Sequence, residues 1–210
     1  MLRIYYAQVP EVGAETSAFP LSEYRKRKLE NVKAPLLRRQ MLAAEQLLVQ
    51  AVRDWDAHTP LPLMIENTET GKPYLKNLPL HFNLSHSGNY AACAIGDQEI
   101  GLDLQILSKT SEKLCRRFFT ENERQYLRGS PDADRTFTRI WCMKESYIKL
   151  LGKGLLIPLE SFSVSPERLN LEQKDDVHFW LYGGPDFEMA LCTRGITEQI
   201  PELIKTELRL

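Results

Sequence analysis

The amino-acid sequence predicts an α+β, two-layer fold built as a pseudo-dimer, in which each half packs a small, mainly antiparallel sheet on a long helix. Two segments with helical spacing of apolar residues predict the long helices, and short apolar or alternating segments predict the strands. Residues 81–84 and 178–181 have similar sequences, and each leads to a second apolar segment that contains a cysteine. We expect this echo to mark a repeated hairpin, with halves at residues 1–105 and 106–210 and the active site between the halves.

The composition is that of an ordinary globular protein and argues against several classes of function. Of the 210 residues, 43% are hydrophobic and 26% are charged, and the net charge of −1 favours neither nucleic acid nor an anionic membrane. Residues 1–13 are typical of an opening strand and not of a signal peptide, and no apolar run reaches the length that spans a bilayer. The four cysteines form no C-x-x-C pair, which favours reduced thiols in a cytoplasmic protein. We also expect a monomer.

A basic segment, residues 24–40, leads into the first long helix. It contains seven basic residues against one acid, Glu30. This segment indicates either a solvated helix face or a binding site for an anionic ligand, where arginine and lysine contact phosphate oxygens. A nucleic-acid module is a third interpretation, which the lack of interleaved aromatics beyond Tyr24 disfavours. Pro35 opens the helix. Its apolar stripe consists of Leu37, Met41, Ala44, Leu48, Ala51 and Trp55.

Short extended segments complete the first half. Residues 56–80 predict a loop with a turn at 70–73, and residues 81–105 predict three short strands arranged as a meander. Asp103 and Gln105 project from one face of the last strand, because side chains alternate along a strand. Residues 83–88 predict a turn around a histidine, which either offers backbone N–H groups to an anion or serves only as a hydrogen-bonded turn.

The second half is predicted to begin with helices and to end mainly with strands. Residues 111–128 predict helical pieces, and Thr120 with Glu123 predicts a capping box at the start of one of them. A stronger helix is expected from about residue 134 to 151, where Gly152 ends it. The remaining residues predict mainly strands, at 162–164, 177–181 and 188–193.

Three residues on the last long helix share one face. Trp141, Glu145 and Lys149 are spaced at i, i+4 and i+8, which by itself is typical of a surface ion pair. The apolar residues on the other faces, however, indicate that the helix is largely buried. Burial of a charged side chain costs free energy, so a partner or a function must account for these two charges. Asp103, between apolar neighbours, together with Glu145 would make an oxygen-ligand site for Mg²⁺. The alternative for Asp103 is a capping or turn-bonded side chain.

Taken together, these segments resemble the Sfp-type 4'-phosphopantetheinyl transferases. The resemblance covers most of the chain, from about residue 21 to 192, and the W-x-x-K-E-S-x-x-K-x-x-G-x-G-L pattern of the last long helix is its most specific part. The family's five segments occur in order at residues 70–73, 82–88, 100–105, 117–120 and 141–155.

The resemblance implies an enzyme that moves phosphopantetheine from coenzyme A to a serine of an apo carrier protein, with 3',5'-ADP as the second product. It implies Asp103 and Glu145 as Mg²⁺ ligands, Glu145 also as general base, and Lys149 as a pyrophosphate contact. The family's strand motif usually ends in glutamate, whereas here Gln105 offers a neutral carboxamide oxygen to the metal. The coenzyme A contacts that it implies are Arg25, Lys28, Arg39, Lys72, Pro73, Ser85, His86 and Lys149.

The expected partner is an acyl or peptidyl carrier protein of fatty-acid, polyketide or peptide synthesis. Because carrier domains are usually acidic, Arg116, Arg117, Phe118 and Phe119 are predicted as a docking segment. The alternative is that the two phenylalanines hold the next helix to the core. The alternative function is a non-catalytic module that binds coenzyme A or a carrier protein, for which the neutral Gln105 is the supporting feature.

Overall fold

A computed structural model describes residues 1–10, 20–153, 156–172, 174–195 and 200–208. The protein has an α+β fold, as predicted, and its chain forms two compact units. The first unit comprises residues 1–99 together with 201–210, and the second comprises residues 100–200. The predicted boundary after residue 105 therefore differs from the observed division at 99/100. The difference arises because the strand at residues 100–106 forms its hydrogen bonds within the second unit.

The first unit packs a four-stranded sheet on one long helix. Its elements are β1 (Leu2–Gln8), α1 (Glu23–Glu30), α2 (Pro35–Trp55), β2 (Ile65–Asn67), β3 (Pro73–Leu75), β4 (His81–Ser87), β5 (Tyr90–Gly96) and β11 (Glu202–Lys205). The sheet order is β11-β1-β5-β4, where only the β1–β11 pair is parallel. The strands β2 and β3 form a separate hairpin, and Gly71 in its turn has a φ of 89°.

The sequence signals for the first long helix are confirmed. Pro35 occupies the start of α2, where a missing backbone N–H costs nothing. Ala44, Leu48 and Ala51 of the apolar stripe lie in one core cluster with Phe82 and Ile95 of the sheet, whereas Met41 packs with Leu29 of α1 in a separate cluster. α1 begins at Ser22, whose hydroxyl accepts a hydrogen bond from the backbone N–H of Arg25.

The second unit has a five-stranded antiparallel sheet beside three helices. Its elements are β6 (Ile100–Ile106), α3 (Glu112–Phe118), α4 (Glu121–Arg128), α5 (Ala133–Leu151), a 3-10 helix (Leu159–Ser161), β7 (Val164–Ser165), β8 (Asn170–Leu171), β9 (Lys174–Gly183) and β10 (Phe187–Arg194). The sheet order is β6-β10-β9-β8-β7. The capping box of Thr120 and Glu123 forms at the start of α4, and Gly152 ends α5 with a φ of 65°.

The predicted meander over residues 81–105 is wrong in its last strand. β4 and β5 form the first hairpin, but β6 pairs with β10 and not with β5. Both edges of β5 are already occupied, by β1 and by β4, so no edge remains for β6. The two echoing segments do form antiparallel hairpins, β4–β5 and β9–β10.

The contact between α5 and β6 is unusually close at Gly101. A Cβ atom on this residue would lie 1.8 Å from the carbonyl oxygen of Ser146 and 2.5 Å from the backbone nitrogen of Leu150. Only glycine therefore allows the helix backbone to lie this near the strand. This contact sets the distance between the backbone of α5 and the residues of β6 that follow Gly101.

Two further expectations concern cysteines and membranes. All four cysteines are buried and free of disulfides. No helix within the described residues is long and apolar enough to cross a membrane.

Candidate active site

A buried aspartate on β6 meets a lysine from α5. Asp103 is 2% exposed, and its Oδ1 accepts a hydrogen bond of 2.7 Å from the Lys149 ammonium. The same ammonium donates to the carbonyl oxygen of Leu102 at 3.0 Å. Gln105 lies on the same face of the strand, and its Nε2 donates to Asp103 Oδ2 at 3.1 Å. The structure thus brings together three residues that the sequence placed on two separate elements.

Glu145 completes this group on the half-buried face of α5. Burial raises the pKa of Glu145, the nearby Asp103 raises it further, and Lys149 lowers it. Two carboxylates and one ammonium therefore interact in one place, with an excess of negative charge. We call this group, Asp103, Gln105, Glu145 and Lys149, the carboxylate site.

The donor set of the carboxylate site fits a Mg²⁺ ion. Mg²⁺ in proteins takes one or two carboxylates and completes its shell with water and phosphate oxygens. Burial is the main cause of the raised pKa of Glu145, and repulsion from Asp103 adds to it; a bound cation would relieve that repulsion. The amide nitrogen of Gln105 points toward Asp103 in this structure. In the flipped orientation of the amide, its oxygen would lie on the side of Asp103 and could bind the metal. Within the described residues, no cluster of three or more His, Cys, Asp or Glu residues suits a metal.

The predicted coenzyme A contact Arg25 is engaged elsewhere. Arg25 is 6% exposed, and its Nε donates to Glu45 Oε2 at 3.2 Å inside the first unit. The other carboxylate oxygen of Glu45 accepts from the backbone N–H of Ser22. This arrangement makes Arg25 a structural residue that fastens α1 to α2, so the prediction of a phosphate contact at Arg25 is not supported by its geometry.

Two other basic residues of this region remain suited to an anion. Arg39 is half-buried, and its Nε is shielded from water without a hydrogen-bond partner in the described part of the chain. Lys28 is exposed, with its ammonium 5.2 Å from the centre of the Tyr24 ring. Lys28 also lines a cavity of about 670 Å³ in the first unit. The other lining residues are Tyr24, Arg27, Asn31, Ile65, Glu66 and Asn67.

The remaining predicted contacts in the first unit lie on two hairpins. Lys72 and Pro73 sit where the β2–β3 turn enters β3, and the turn forms as predicted. Ser85 and His86, by contrast, lie within β4 and pair with Ala92 and Ala91, so the expected turn over residues 83–88 is wrong for these two. Their backbone belongs to the sheet ladder, and the chain turns only at Gly88, with a φ of 53°.

Comparison with known proteins places these residues in a family. A profile described as the 4'-phosphopantetheinyl transferase superfamily matches residues 99–192. The 4'-phosphopantetheinyl transferase psf-1 of Bacillus pumilus is 32% identical over 167 residues, which cover 74% of this chain and 71% of the relative. The chain belongs to the 4'-phosphopantetheinyl transferase superfamily.

Other members of the superfamily align over shorter stretches. A 4'-phosphopantetheinyl transferase of Bacillus subtilis is 43% identical over 113 residues, or 52% of this chain and 47% of the relative. The transferase Sfp of Bacillus subtilis strain 168 is 38% identical over 135 residues, or 59% of this chain and 60% of the relative. The alignments thus span about half to three fifths of these two relatives. The profile includes the whole carboxylate site, whereas the basic residues of the first unit lie outside it.

The predicted docking segment divides into exposed and buried residues. Arg116 and Arg117 are exposed, and the Arg117 guanidinium lies 4.9 Å from the centre of the half-buried Phe118 ring. Phe118 packs edge-on against Trp141, at a centroid distance of 5.5 Å. Phe119 is 1% exposed and stacks on Phe137, so it belongs to the core and is not available for docking. The alternative interpretation, that a phenylalanine holds the helix to the core, is confirmed for Phe119.

Two buried ionic groups were missed in the sequence. Glu188 on β10 is 1% exposed and pairs with Arg135 and Arg139 of α5, directly across the sheet from Gln105. Lys144, inside the superfamily's helix motif, is 0% exposed and pairs with Glu123. Glu188 is the one charged residue in the otherwise mostly apolar segment 187–193, which is a signal of a buried charge, whereas Lys144 lies beside Glu145 and offers no such signal. Gly154 and Leu155 of the same motif lie outside the described residues.

Proposed function

We propose that this protein transfers 4'-phosphopantetheine from coenzyme A to a serine of an apo acyl or peptidyl carrier protein. The serine oxygen attacks the phosphorus that carries the pantetheine and forms a new P–O bond. The bond from this phosphorus to the bridging oxygen of the pyrophosphate breaks, and 3',5'-ADP leaves with that oxygen. The observation that carries the proposal is the carboxylate site on β6 and α5, in a chain of the transferase superfamily.

The chain's own residues supply proton transfer and charge. Glu145 takes the serine proton directly or through a water, and its raised pKa makes it a better proton acceptor than an ordinary carboxylate. Lys149 contributes a fixed positive charge beside Asp103 and contacts the pyrophosphate. Phosphoryl-type transfer needs little covalent work from the protein, so positioning and charge neutralisation dominate.

Asp103 and Glu145 would hold Mg²⁺, with the amide oxygen of Gln105 as a neutral third ligand. When bound, Mg²⁺ supplies positive charge that offsets the charge of the pyrophosphate. Two carboxylates suffice for such a site, because water and substrate oxygens complete the coordination shell.

The coenzyme A contacts that we retain are Lys28, Arg39, Lys72, Pro73, Ser85, His86 and Lys149. Arg39 is the best supported of those in the first unit, because its shielded Nε lacks a partner within the described residues. Arg25 leaves the set because Glu45 already binds it. The assignment of the coenzyme A phosphate-binding elements to residues 1–105, and of the W-x-x-K-E-S-x-x-K helix to residues 106–210, stays part of this proposal.

An acidic carrier protein is the partner that we propose for the exposed arginines of α3. Arg116 and Arg117 are solvent-exposed, and Phe118 offers a half-buried apolar surface beside them. Carrier docking thus rests on Arg116, Arg117 and Phe118. We further propose a cytoplasmic monomer that arose as a repeat of two α/β halves, in support of which the four buried thiols suit a reducing compartment.

The test is a mass measurement of carrier proteins. The protein is incubated with coenzyme A, Mg²⁺ and a panel of apo carriers from fatty-acid, polyketide and peptide synthesis. We expect at least one carrier to gain the mass of one phosphopantetheine, and chelation of Mg²⁺ to abolish the gain. Binding of coenzyme A without any mass gain across the panel would instead indicate a non-catalytic module.

A further inference from the structure

Lys144 is a fully buried cation on α5, next to Glu145 in sequence. Its ammonium donates to Glu123 Oε1 at 2.8 Å, to the carbonyl oxygen of Leu159 at 2.8 Å and to that of Phe162 at 2.7 Å. An ammonium has three N–H donors, so all three are used. The side chain thereby joins α5 to the 3-10 helix and to the residue that follows it.

Glu123 extends the same network to α4 and β7. Its Oε1 also accepts from the backbone N–H of Val164 at 2.8 Å, and its Oε2 accepts from the N–H of Thr120 at 2.8 Å. The pair of Lys144 and Glu123, which we call the buried clamp, thus connects four separate elements of the second unit. All of its charges are satisfied inside the core.

A buried ion pair is weak evidence for stability, because apolar residues of similar volume often replace it without loss. The buried clamp instead fixes the positions of the elements that it connects. Lys144 fixes one side of α5, while the Gly101 contact fixes the helix backbone at Ser146 and Leu150 on the side that faces β6. Two such contacts on different sides restrict rotation of the helix about its axis.

Rotation of α5 matters because Glu145 is carried by the same turn. A rotation of about 10° moves a group about 5 Å from the helix axis by roughly 1 Å. A misplacement of about 1 Å can lower a catalytic rate by about 100-fold. The separation between the Glu145 carboxylate and Asp103 therefore depends on the contacts that fix the rotational position of α5 about its axis.

We propose that Lys144 is a positioning residue: it sets the rotation of α5 and thereby the placement of Glu145 against Asp103. This inference rests on the proposed transferase function. It assigns Lys144 no contact with coenzyme A or with the carrier serine.

The experiment separates positioning from stability. Lys144→Met alone leaves Glu123 as an unpaired buried charge, and we expect its Tm to fall by about 10 °C. Lys144→Met combined with Glu123→Gln removes both charges, and we expect Tm to recover most of that loss. In this double variant kcat should still be about 10- to 100-fold below wild type, with KM for coenzyme A within about twofold.

Two controls accompany the double variant. Glu123→Gln alone keeps the bonds of Lys144 to both carbonyls, so its kcat should stay within about twofold of wild type. The exposed pair of Asp176 and Arg194 in the same unit provides a matched charge removal, Asp176→Asn with Arg194→Met, with no expected change in kcat.

A double variant with recovered Tm and wild-type kcat would overturn the proposal, as would a single Glu123→Gln variant as slow as the double variant. If the double variant does not fold, Lys144→Gln with Glu123→Gln replaces it, since the shorter amide cannot reach both carbonyls. An unchanged kcat there would equally overturn the proposal. Lack of activity in the wild-type protein would count against the proposed function itself, which keeps the two failures distinct.

Discussion

At the scale of single residues, the proposed chemistry centres on two carboxylates, Asp103 and Glu145, that lie close enough to influence each other. Asp103 is fixed by Lys149 and Gln105, whereas Glu145 is half-buried with a raised pKa. We propose on this basis that both acids serve as metal ligands and that Glu145 alone also accepts the serine proton. A carboxylate held in place by two hydrogen bonds suits a ligand, and a carboxylate with a raised pKa also suits a proton acceptor.

Glu145→Gln tests that assignment. The amide keeps the shape of the side chain but cannot accept the serine proton, so kcat should fall by about 100-fold or more. The circular dichroism spectrum should match that of the wild type and Tm should be equal or slightly higher, because burial and the nearby Asp103 raise the pKa of Glu145 and its charged form therefore costs stability in the fold. Near-normal transfer by this variant would remove Glu145 from both the base and the ligand role.

Gln105→Glu tests whether the uncharged side chain at position 105 of β6 belongs to the metal site. The new carboxylate would lie beside Asp103 and opposite Glu188, so without metal we expect a lower Tm from like-charge repulsion. With coenzyme A present, Mg²⁺ affinity measured by calorimetry should rise by about tenfold. Gln105→Ala is the matched control, and it should not gain affinity. Unchanged Mg²⁺ affinity in Gln105→Glu would place residue 105 outside the metal shell.

At the scale of elements, the geometry of the carboxylate site depends on how closely α5 approaches β6. Gly101→Ala would push a Cβ atom into the backbone of Ser146 and Leu150, which flexible side chains cannot relieve. We expect a loss of about 3 kcal/mol in unfolding free energy and a large loss of transfer activity. Gly129→Ala is a suitable control, because its Cβ would meet its nearest neighbour at an ordinary 3.6 Å. Wild-type stability in Gly101→Ala would show that the helix moves aside at little cost.

Helix α3 is the element that we assign to carrier recognition. Arg116→Glu with Arg117→Glu should raise KM for an acidic carrier by about tenfold, because the change reverses charge at an exposed docking surface. KM for coenzyme A should be unchanged. Arg53→Glu on the exposed end of α2 gives a control for altered net charge. Equal losses toward carrier and coenzyme A would contradict a docking role for α3.

At the scale of the whole molecule, the end of the chain returns to the first unit. β11 pairs in parallel with β1, and Ile204 and Leu208 pack against the core of that unit. Deletion of residues 200–210 should therefore lower Tm and weaken coenzyme A binding in calorimetry, since it exposes the edge of β1. Replacement of the exposed Leu203 by Lys is the milder control, with little expected effect on Tm. An unaffected Tm in the deletion variant would show that β11 contributes no stability.

Local patterns in the sequence were sufficient to predict most helices and the strand and helix positions of the residues in the carboxylate site. Pro35, Gly152 and the Thr120–Glu123 box mark helix ends because caps depend on neighbouring residues only. The alternation along β6 places Asp103 and Gln105 on one face for the same reason. These signals act over a few residues, so they can be recognised in the sequence before the fold is known.

The tertiary structure alone decided which strand β6 pairs with and which charged residues are already engaged. Edge pairing in a sheet is a long-range choice, and it separates β6 from the preceding hairpin. Arg25 was predicted to bind an anionic ligand and Lys144 was assigned no role, yet Glu45 and Glu123 bind these two cations inside the core. The sequence by itself determined the family and the carboxylate site, because motif residues lie on two elements that each form locally. Burial and partner choice depend on residues distant in the chain, so only the folded protein fixes them.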